Sequence, residues 1–392
     1  MSVNGKHIFN TFKIRSTSLS LLLTICLGGL FYGISIGIDF VAIPLFFEKK
    51  GLSKSLMGLI MSSEVLAWVL IAPFFSKLVG RFGIKKIILY SIITRNIGLL
   101  FIPLSHTKVE WVFAYTIFGI GGFMLFNVLQ FSINNSSTSK NRAISLGAIT
   151  SATSVGIAIG PVIVKFININ SLTPFYISIA SSFIAIIPLS LSWTTLKYAK
   201  EKTSIKILTI TKQLPLVIGA AILVDFVYYA LSSFLVLYGI SHGLSEESSS
   251  FLVIAMILGS VFLDIPIGIL ADIISRKKTM IICTTTMAVC SYFIEDYILN
   301  PLMSFIIFFI CCGALNGIYI CCLALLGDKF KNQDLAEANS AVAVSGCIGS
   351  FAGMIVTGVA MDYLGAKGLP YTIFTITAIF LLLNLIFYKR ST

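Results

Sequence analysis

Gly51-Leu52-Ser53, set between two long apolar stretches, returns 192 residues later as Gly243-Leu244-Ser245, and the same shift lays Leu78 on Leu270 and Lys85-Lys86 on Lys277-Lys278. No gap is needed, so a turn and a basic loop keep their register across the shift, the signature of an internal duplication. The segments around them are apolar runs of roughly 20 residues, each long enough to cross a hydrocarbon core as a helix. They cover 19–47, 55–80, 84–104, 111–135, 143–167 and 172–196, then 215–241, 248–271, 278–298, 300–327, 337–361 and 369–388. The predicted fold is an all-α membrane protein of twelve transmembrane helices in two six-helix repeats. A polar stretch with five lysines separates them, giving a first half 1–196, a basic linker 197–214 and a second half 215–392. An even number of spans per half leaves both halves in the same orientation, related by an axis along the membrane normal.

Composition excludes the soluble alternatives. Of 392 residues 57% are hydrophobic and 11% charged, whereas soluble domains carry about a quarter as Asp, Glu, Lys and Arg. The net charge of +12 raises nucleic acid as a partner, and its distribution removes it. With both termini cytoplasmic, 21 Lys and Arg fall in inner loops and tails and 5 (Lys49, Lys50, Lys54, Lys108 and Lys367) in outer ones, with Arg95 and Lys165 inside spans. The positive-inside rule fixes that topology in a cell membrane. The first 18 residues, polar and basic, read as a cytoplasmic tail before an uncleaved helix. All eight cysteines lie within spans. Cys311-Cys312 and Cys321-Cys322 sit about 15 Å apart along one helix, so they read as packing residues, and neither a metal nor a cofactor is expected.

A second repeat is one of shape. Ala148, Ala152, Gly156 and Gly160 form a stripe at spacing four on the fifth span, matched on the eleventh by Ala341, Ser345, Gly349 and Gly353. Small residues at this spacing let helix backbones approach closely. Two stripes at equivalent places predict paired interfaces that slide or rock.

The loop Gly268-Ile269-Leu270-Ala271-Asp272-Ile273-Ile274-Ser275-Arg276-Lys277-Lys278 resembles the G-x-L-x-D-x-x-G-R-K loop of the major facilitator superfamily, with Ser275 at the second glycine. The first-half counterpart keeps Arg81, Gly83, Lys85 and Lys86 but has Gly80 at the acid. The resemblance covers essentially the whole chain. It implies a transporter whose spans 1, 4, 7 and 10 line a central cavity. Gly268, Asp272, Arg276, Lys277, Arg81 and Lys85 would then form gating loops, with Asp272 closing the cytoplasmic side against the start of the fifth span near Arg142. The alternative for Asp272 is a surface pair with Arg276. Gly147, Gly156 and Gly160-Pro161 on the fifth span, with eight and three residues between the glycines, resemble the G-x8-G-x3-G-P signature of the family's proton-coupled exporters. Val164-Lys165 replaces its closing glycines, and Tyr115 stands where those exporters carry an arginine on the fourth span.

Ionisable residues at bilayer depth are costly and mark function by default. Asp39, Glu64 and Arg95 each lie about 10–14 Å from the outer ends of spans 1, 2 and 3. One acid would neutralise Arg95 and leave the other for a proton or cation; the alternative is a fixed ion-pair network. Asp225 and Asp264 lie about 15 Å and 12 Å from the inner ends of their spans. They are expected as neighbouring carboxylates, with Asp225 on the cavity-lining seventh span. Phe226, Tyr228 and Tyr229 beside it either line a cavity for an amphipathic solute or simply pack. Lys165 reads as a residue that snorkels to the interface.

An intramembrane hydrolase is excluded. Gly33-Ile34-Ser35-Ile36-Gly37 matches the G-x-S-x-G elbow in letters only, because that motif needs a strand-to-helix turn and a histidine. His7, His106 and His242 all fall in the tail or outer loops. The expected function is alternating-access secondary transport of a small solute by a monomer, coupled to protons or another ion and directed outward. Uptake symport or uniport is the alternative, and a non-transporting receptor or scaffold the second.

Overall fold

A computed structural model describes residues 16–136, 142–168, 171–191, 213–330 and 332–389; most of the basic linker and both tails lie outside this set. The described residues form twelve helices, counting the run Lys54–Leu104 as two and the two pieces from Thr173 as one. The first half contains α1 (Ser16–Lys49), α2 and α3, α4 (Lys108–Ser136), α5 (Arg142–Lys165) and α6, whose two pieces are Thr173–Ile184 and Ile186–Leu191. The second contains α7 (Pro215–Ser241), α8 (Glu246–Ile273), α9 (Arg276–Tyr297), α10 (Pro301–Lys329), α11 (Asn332–Leu364) and α12 (Gly368–Lys389). Helices α2 (54–82) and α3 (84–104) form one run, Lys54–Leu104, broken where Gly83 takes φ 78°. A side chain would strain that conformation. At the equivalent bend of the second half, Ser275 instead caps α9, its Oγ accepting from the Lys278 N–H. That contact gives the departure from the family's glycine a local reason.

The repeated Gly-Leu-Ser is a helix-to-helix connector. Gly51 and Gly243 take φ 72° and 87°, the left-handed turn that ends α1 and α7. Ser53 and Ser245 then cap α2 and α8, accepting from Leu56 N–H and Ser248 N–H. The duplicated tripeptide is a stop and a start.

Helix α7 is apolar all round and accordingly buried,. Large side chains such as Ile265 and Ile273, about three-quarters exposed, point where lipid would cover them. The two small-residue stripes do not lie between halves. A Cβ on Gly156 would sit 2.1 Å from the Leu30 carbonyl oxygen of α1, and one on Gly349 or Gly353 would sit 2.2 or 2.3 Å from the Ile222 or Phe226 oxygen of α7. Gly160 is equally tight against Gly37 of α1, and Pro161 follows it within the unbroken helix. Gly147 meets nothing within 4 Å. The stripes therefore bond α5 to α1 and α11 to α7, a matched pair of interfaces, one inside each half.

The halves meet through α2 with α11, α5 with α8, and α1 with α7. Among the described residues, their ion pairs and backbone approaches lie at one end, with the 50–53, 242–245 and 365–367 connections; this is the outer end on the charge reading. There, Lys165 Nζ reaches Glu247 at 2.6 Å and Lys49 reaches Glu246 at 3.5 Å. Lys165 thus has an acidic partner in the opposite half rather than only an interfacial position.

Candidate functional site

Between the halves lies a cavity of about 460 Å³, within the range of small-molecule sites. It is walled by α1, α2, α3, α4 and α5 from one half and α7, α10 and α11 from the other. Helices 1, 4, 7 and 10 contribute, as the resemblance implied, joined by four others. The cavity gathers Asp39, Glu64 and Arg95 with Asp225, Tyr228 and Tyr229.

The first-half charges resolve into a pair and a remainder. Arg95 and Asp39 form an ion pair, with 1% and 5% of their side chains exposed. A ring of hydroxyls completes it. Arg95 Nη1 donates to Ser35 Oγ at 2.8 Å, Ser35 Oγ donates to the Ser178 carbonyl at 2.9 Å, and Ser178 Oγ donates to Asp39 Oδ1 at 2.7 Å. Each hydroxyl gives one proton, and the guanidinium and carboxylate close the circuit across α1, α3 and α6. The guanidinium also lies 4.8 Å from the Phe118 ring centroid and 5.4 Å from that of Tyr32, within cation–π range. Glu64 is left over. It faces the cavity, and among the described residues its carboxylate has no hydrogen-bond or ion-pair partner.

In the second half, Asp225 is accommodated by a glycine. A Cβ at residue 346 would stand 1.9 Å from Asp225 Oδ2, so only glycine leaves the carboxylate its place. Asp225 too has no cationic partner among the described residues. Asp264 is not its companion. It lies on α8, outside the cavity wall, and accepts from Asn316 Nδ2 at 2.6 Å; Asn316 is what the cavity meets. Aromatic rings close the seam between the halves. Phe40 meets Tyr228 edge-on at 6.3 Å, and Trp68 meets Tyr229 at 6.1 Å. Phe226 turns away to pack against α11. The indole N–H of Trp68 is buried with no hydrogen-bond partner among the described residues.

The Major Facilitator Superfamily family model matches residues 25–263 and 217–392, which together span nearly the whole chain. The chain belongs to the Major Facilitator Superfamily. As a member of this transporter family it is a membrane-embedded carrier of small solutes, not an enzyme. It is 25% identical over 366 residues to the uncharacterised transporter YfkF of Bacillus subtilis strain 168, covering 90% of this chain and 92% of that one. It is 24% identical over 155 residues to the quinolone resistance protein NorA of Staphylococcus aureus, 39% of this chain and 40% of that protein. A nucleoside transporter, NupG, has the same fold at TM-score 0.79, with 11% identity and 95% and 99% of the two chains covered. So does a bacterial homologue of the lysosomal transporter Spinster in an inward-facing, unoccupied conformation, at TM-score 0.74 and 16% identity over 96% and 97% of the chains.

Sequence reading missed Ser35, Ser178, Trp68, Asn316 and Gly346. Polar and small residues are common in such spans, and their separation in sequence gives no sign of convergence. The glycines of Gly119-Ile120-Gly121 carried a signal that was readable. A Cβ on Gly119 would strike the Glu64 backbone at 2.7 Å, and one on Gly121 the Arg95 N–H at 2.2 Å. The residues that the resemblance assigned to gating loops lie at the opposite end from the cross-half ion pairs. Asp272 is exposed, and Arg276 pairs with Asp328 and the Ala324 carbonyl instead of Asp272. Arg81 lies over its neighbour Phe82. Gly268 faces open space, and Lys277 and Lys85 lie in the first turns of α9 and α3. The side chain of Arg142 lies outside the described residues.

Proposed function

We propose that the chain is a proton-coupled exporter of amphipathic cations with both termini cytoplasmic. The observation that carries this reading is the charge balance of the cavity. Asp39 is consumed by Arg95, while Glu64 in one half and Asp225 in the other face an aromatic-walled space with no ion-pair partner among the described residues, Arg95 acting on Glu64 only as a more distant charge. Carboxylates buried without cations take up either a proton or a cationic solute. Competition of the two for the same acids is antiport. The relative named for quinolone resistance supports an outward direction. In this chain the cavity guanidinium comes from Arg95 on α3, and Tyr115 occupies the corresponding place on α4. With contacts between the halves concentrated at the outer end, the cavity faces inward.

The test is transport of tetraphenylphosphonium in proteoliposomes under an imposed pH gradient. Asp225→Asn is isosteric, so Gly346 still accommodates it. The variant should lose uphill, pH-driven movement while retaining counterflow of the probe down its gradient. Unchanged uphill transport removes Asp225 from coupling, and accumulation in the same direction as proton flow makes the protein a symporter.

In this reading Asp272 latches the inner end in the opposite state. A carboxylate beside a helix N-terminus is favoured by the exposed N–H groups, typically by about 0.3–1 kcal/mol and up to about 2 when partly buried. Gly80 cannot supply the equivalent in the first half, so Asp272 acts alone. A loss of about 1.4 kcal/mol moves the inward-to-outward ratio about tenfold. Asp272→Asn should therefore increase labelling of a cysteine placed at Phe126, in the inner half of the cavity, and slow net transport more than binding. Wild-type labelling together with wild-type transport would dismiss the latch.

A further inference from the structure

Helices α2 and α8 begin at equivalent places with opposite chemistry. After its cap, α8 starts with Glu246 and Glu247, acids that suit the positive end of a helix. After its cap, α2 starts with Lys54 and Ser55 and has no acid in its first turn. The missing carboxylate is supplied by the other half. Asp362, at the outer end of α11, accepts from the Lys54 backbone N–H at 2.7 Å through Oδ1 and from the Ser55 N–H at 2.9 Å through Oδ2. The donors are two of the otherwise unsatisfied groups that open every helix, and both carboxylate oxygens are used. Beneath this contact the backbones touch. A Cβ on Gly358 of α11 would stand 2.3 Å from the Lys54 carbonyl oxygen, and a Cβ on Gly58 of α2 would stand 2.2 Å from the Met354 oxygen.

We infer that Asp362 is the positioning residue that holds the outer end shut, capping a helix of the opposite half and releasing it each time the outer end opens. The other cross-half contacts at this end are weaker candidates. Lys165–Glu247 and Lys49–Glu246 join two long side chains that are 38–47% exposed, and such surface pairs contribute little; Asp362 is exposed too, but it meets two fixed backbone donors. The Lys54 ammonium is itself engaged by Glu48 of its own half. What crosses to Asp362 is chiefly the backbone, with the lysine's charge a lesser attraction behind those hydrogen bonds. The second half thus carries both acids of the cycle, Asp362 for the outer end and Asp272 for the inner. This inference extends the alternating-access reading, and its test measures opening alone, independent of substrate, coupling ion and direction.

Spin labels on cysteines at Lys50 and Tyr363, both exposed and in opposite halves, report the outer-end distance in nanodiscs by double electron–electron resonance. A cysteine-free background is used. Asp362→Asn should raise the long-distance population about tenfold relative to the short one, and Asp362→Glu should restore part of the closed state. Lys54→Gln, which keeps the N–H and removes only the lesser attraction, should shift the distribution far less than Asp362→Asn. Lys54→Pro provides a second route that leaves the acid intact. Proline is favoured at the first helical position, and Ser53 before it is already extended at φ −64°, ψ 152°, as a residue preceding proline must be. It removes one donor and should open the outer end in the same direction as Asp362→Asn. The inference is overturned if both Asp362→Asn and Lys54→Pro give the wild-type distribution. Opening by Lys54→Gln as large as that by Asp362→Asn also overturns it, since the side-chain charge would then be the latch.

Discussion

Arg95→Ala is expected to lower the stability of the protein by about 3–5 kcal/mol, the usual cost in soluble proteins of removing one partner from a buried ion pair. The reason is the ion left behind. Asp39 is 5% exposed and would keep only the Ser178 hydroxyl, with Ser35 losing the donor that orients the ring. The geometry makes the rescue specific. Arg95→Ala with Asp39→Asn removes both charges and should recover a substantial part of the loss in melting temperature and yield. Arg95→Ala with Glu64→Gln should recover little, because Glu64 is not the partner. Equal rescue by the two second changes, or none by Asp39→Asn, would mean that the pair does not hold α1 to α3.

Gly358→Val should abolish turnover while leaving the protein folded. Its Cβ would fall 2.3 Å from the Lys54 carbonyl oxygen, far inside any tolerated contact, and the obstacle is backbone rather than a movable side chain. Local relaxation cannot clear it, so α2 and α11 must part, and the outer end stays open. The same substitution at Gly349 has a different consequence. There the collision is with the Ile222 oxygen at 2.2 Å, inside one half and present in every state of the cycle, so overpacking appears as lost stability. Gly358→Val should show near wild-type melting and no transport, and Gly349→Val a lowered melting temperature. Normal transport by Gly358→Val would show that the outer seam need not close.

The architecture was legible because its cause is one-dimensional. Apolar length requires a span, Lys and Arg require an aqueous loop, and a shift of 192 aligns the connectors of two halves without reference to any contact. Depth in the bilayer is one-dimensional too, and it correctly placed Asp39, Glu64 and Arg95 within reach of one another. Rotation about the helix axis is not readable from depth. Which acid Arg95 would take depended on the facing of α1, α2 and α3 and on Ser178 from α6, and the choice fell on Asp39. The same limit explains the stripes. Spacing four shows that a face is narrow, but only packing reveals that the neighbour of α5 is α1 and that of α11 is α7.

Sequence alone therefore determined the twelve spans, the duplication, the family and the set of charges sunk in the membrane. Tertiary structure decided which of those charges are paired and which remain exposed to the cavity. It also placed Asp264 against Asn316, outside the cavity wall, and brought Lys165 to Glu247 across the halves. The clearest case is the start of α2. That its first turn lacks an acid is visible in Ser53-Lys54-Ser55, but the carboxylate that completes it lies 308 residues away, and no local rule links the two. Short-range preferences and hydropathy act along the chain, whereas a cap supplied from the other half exists only once both halves have closed on each other.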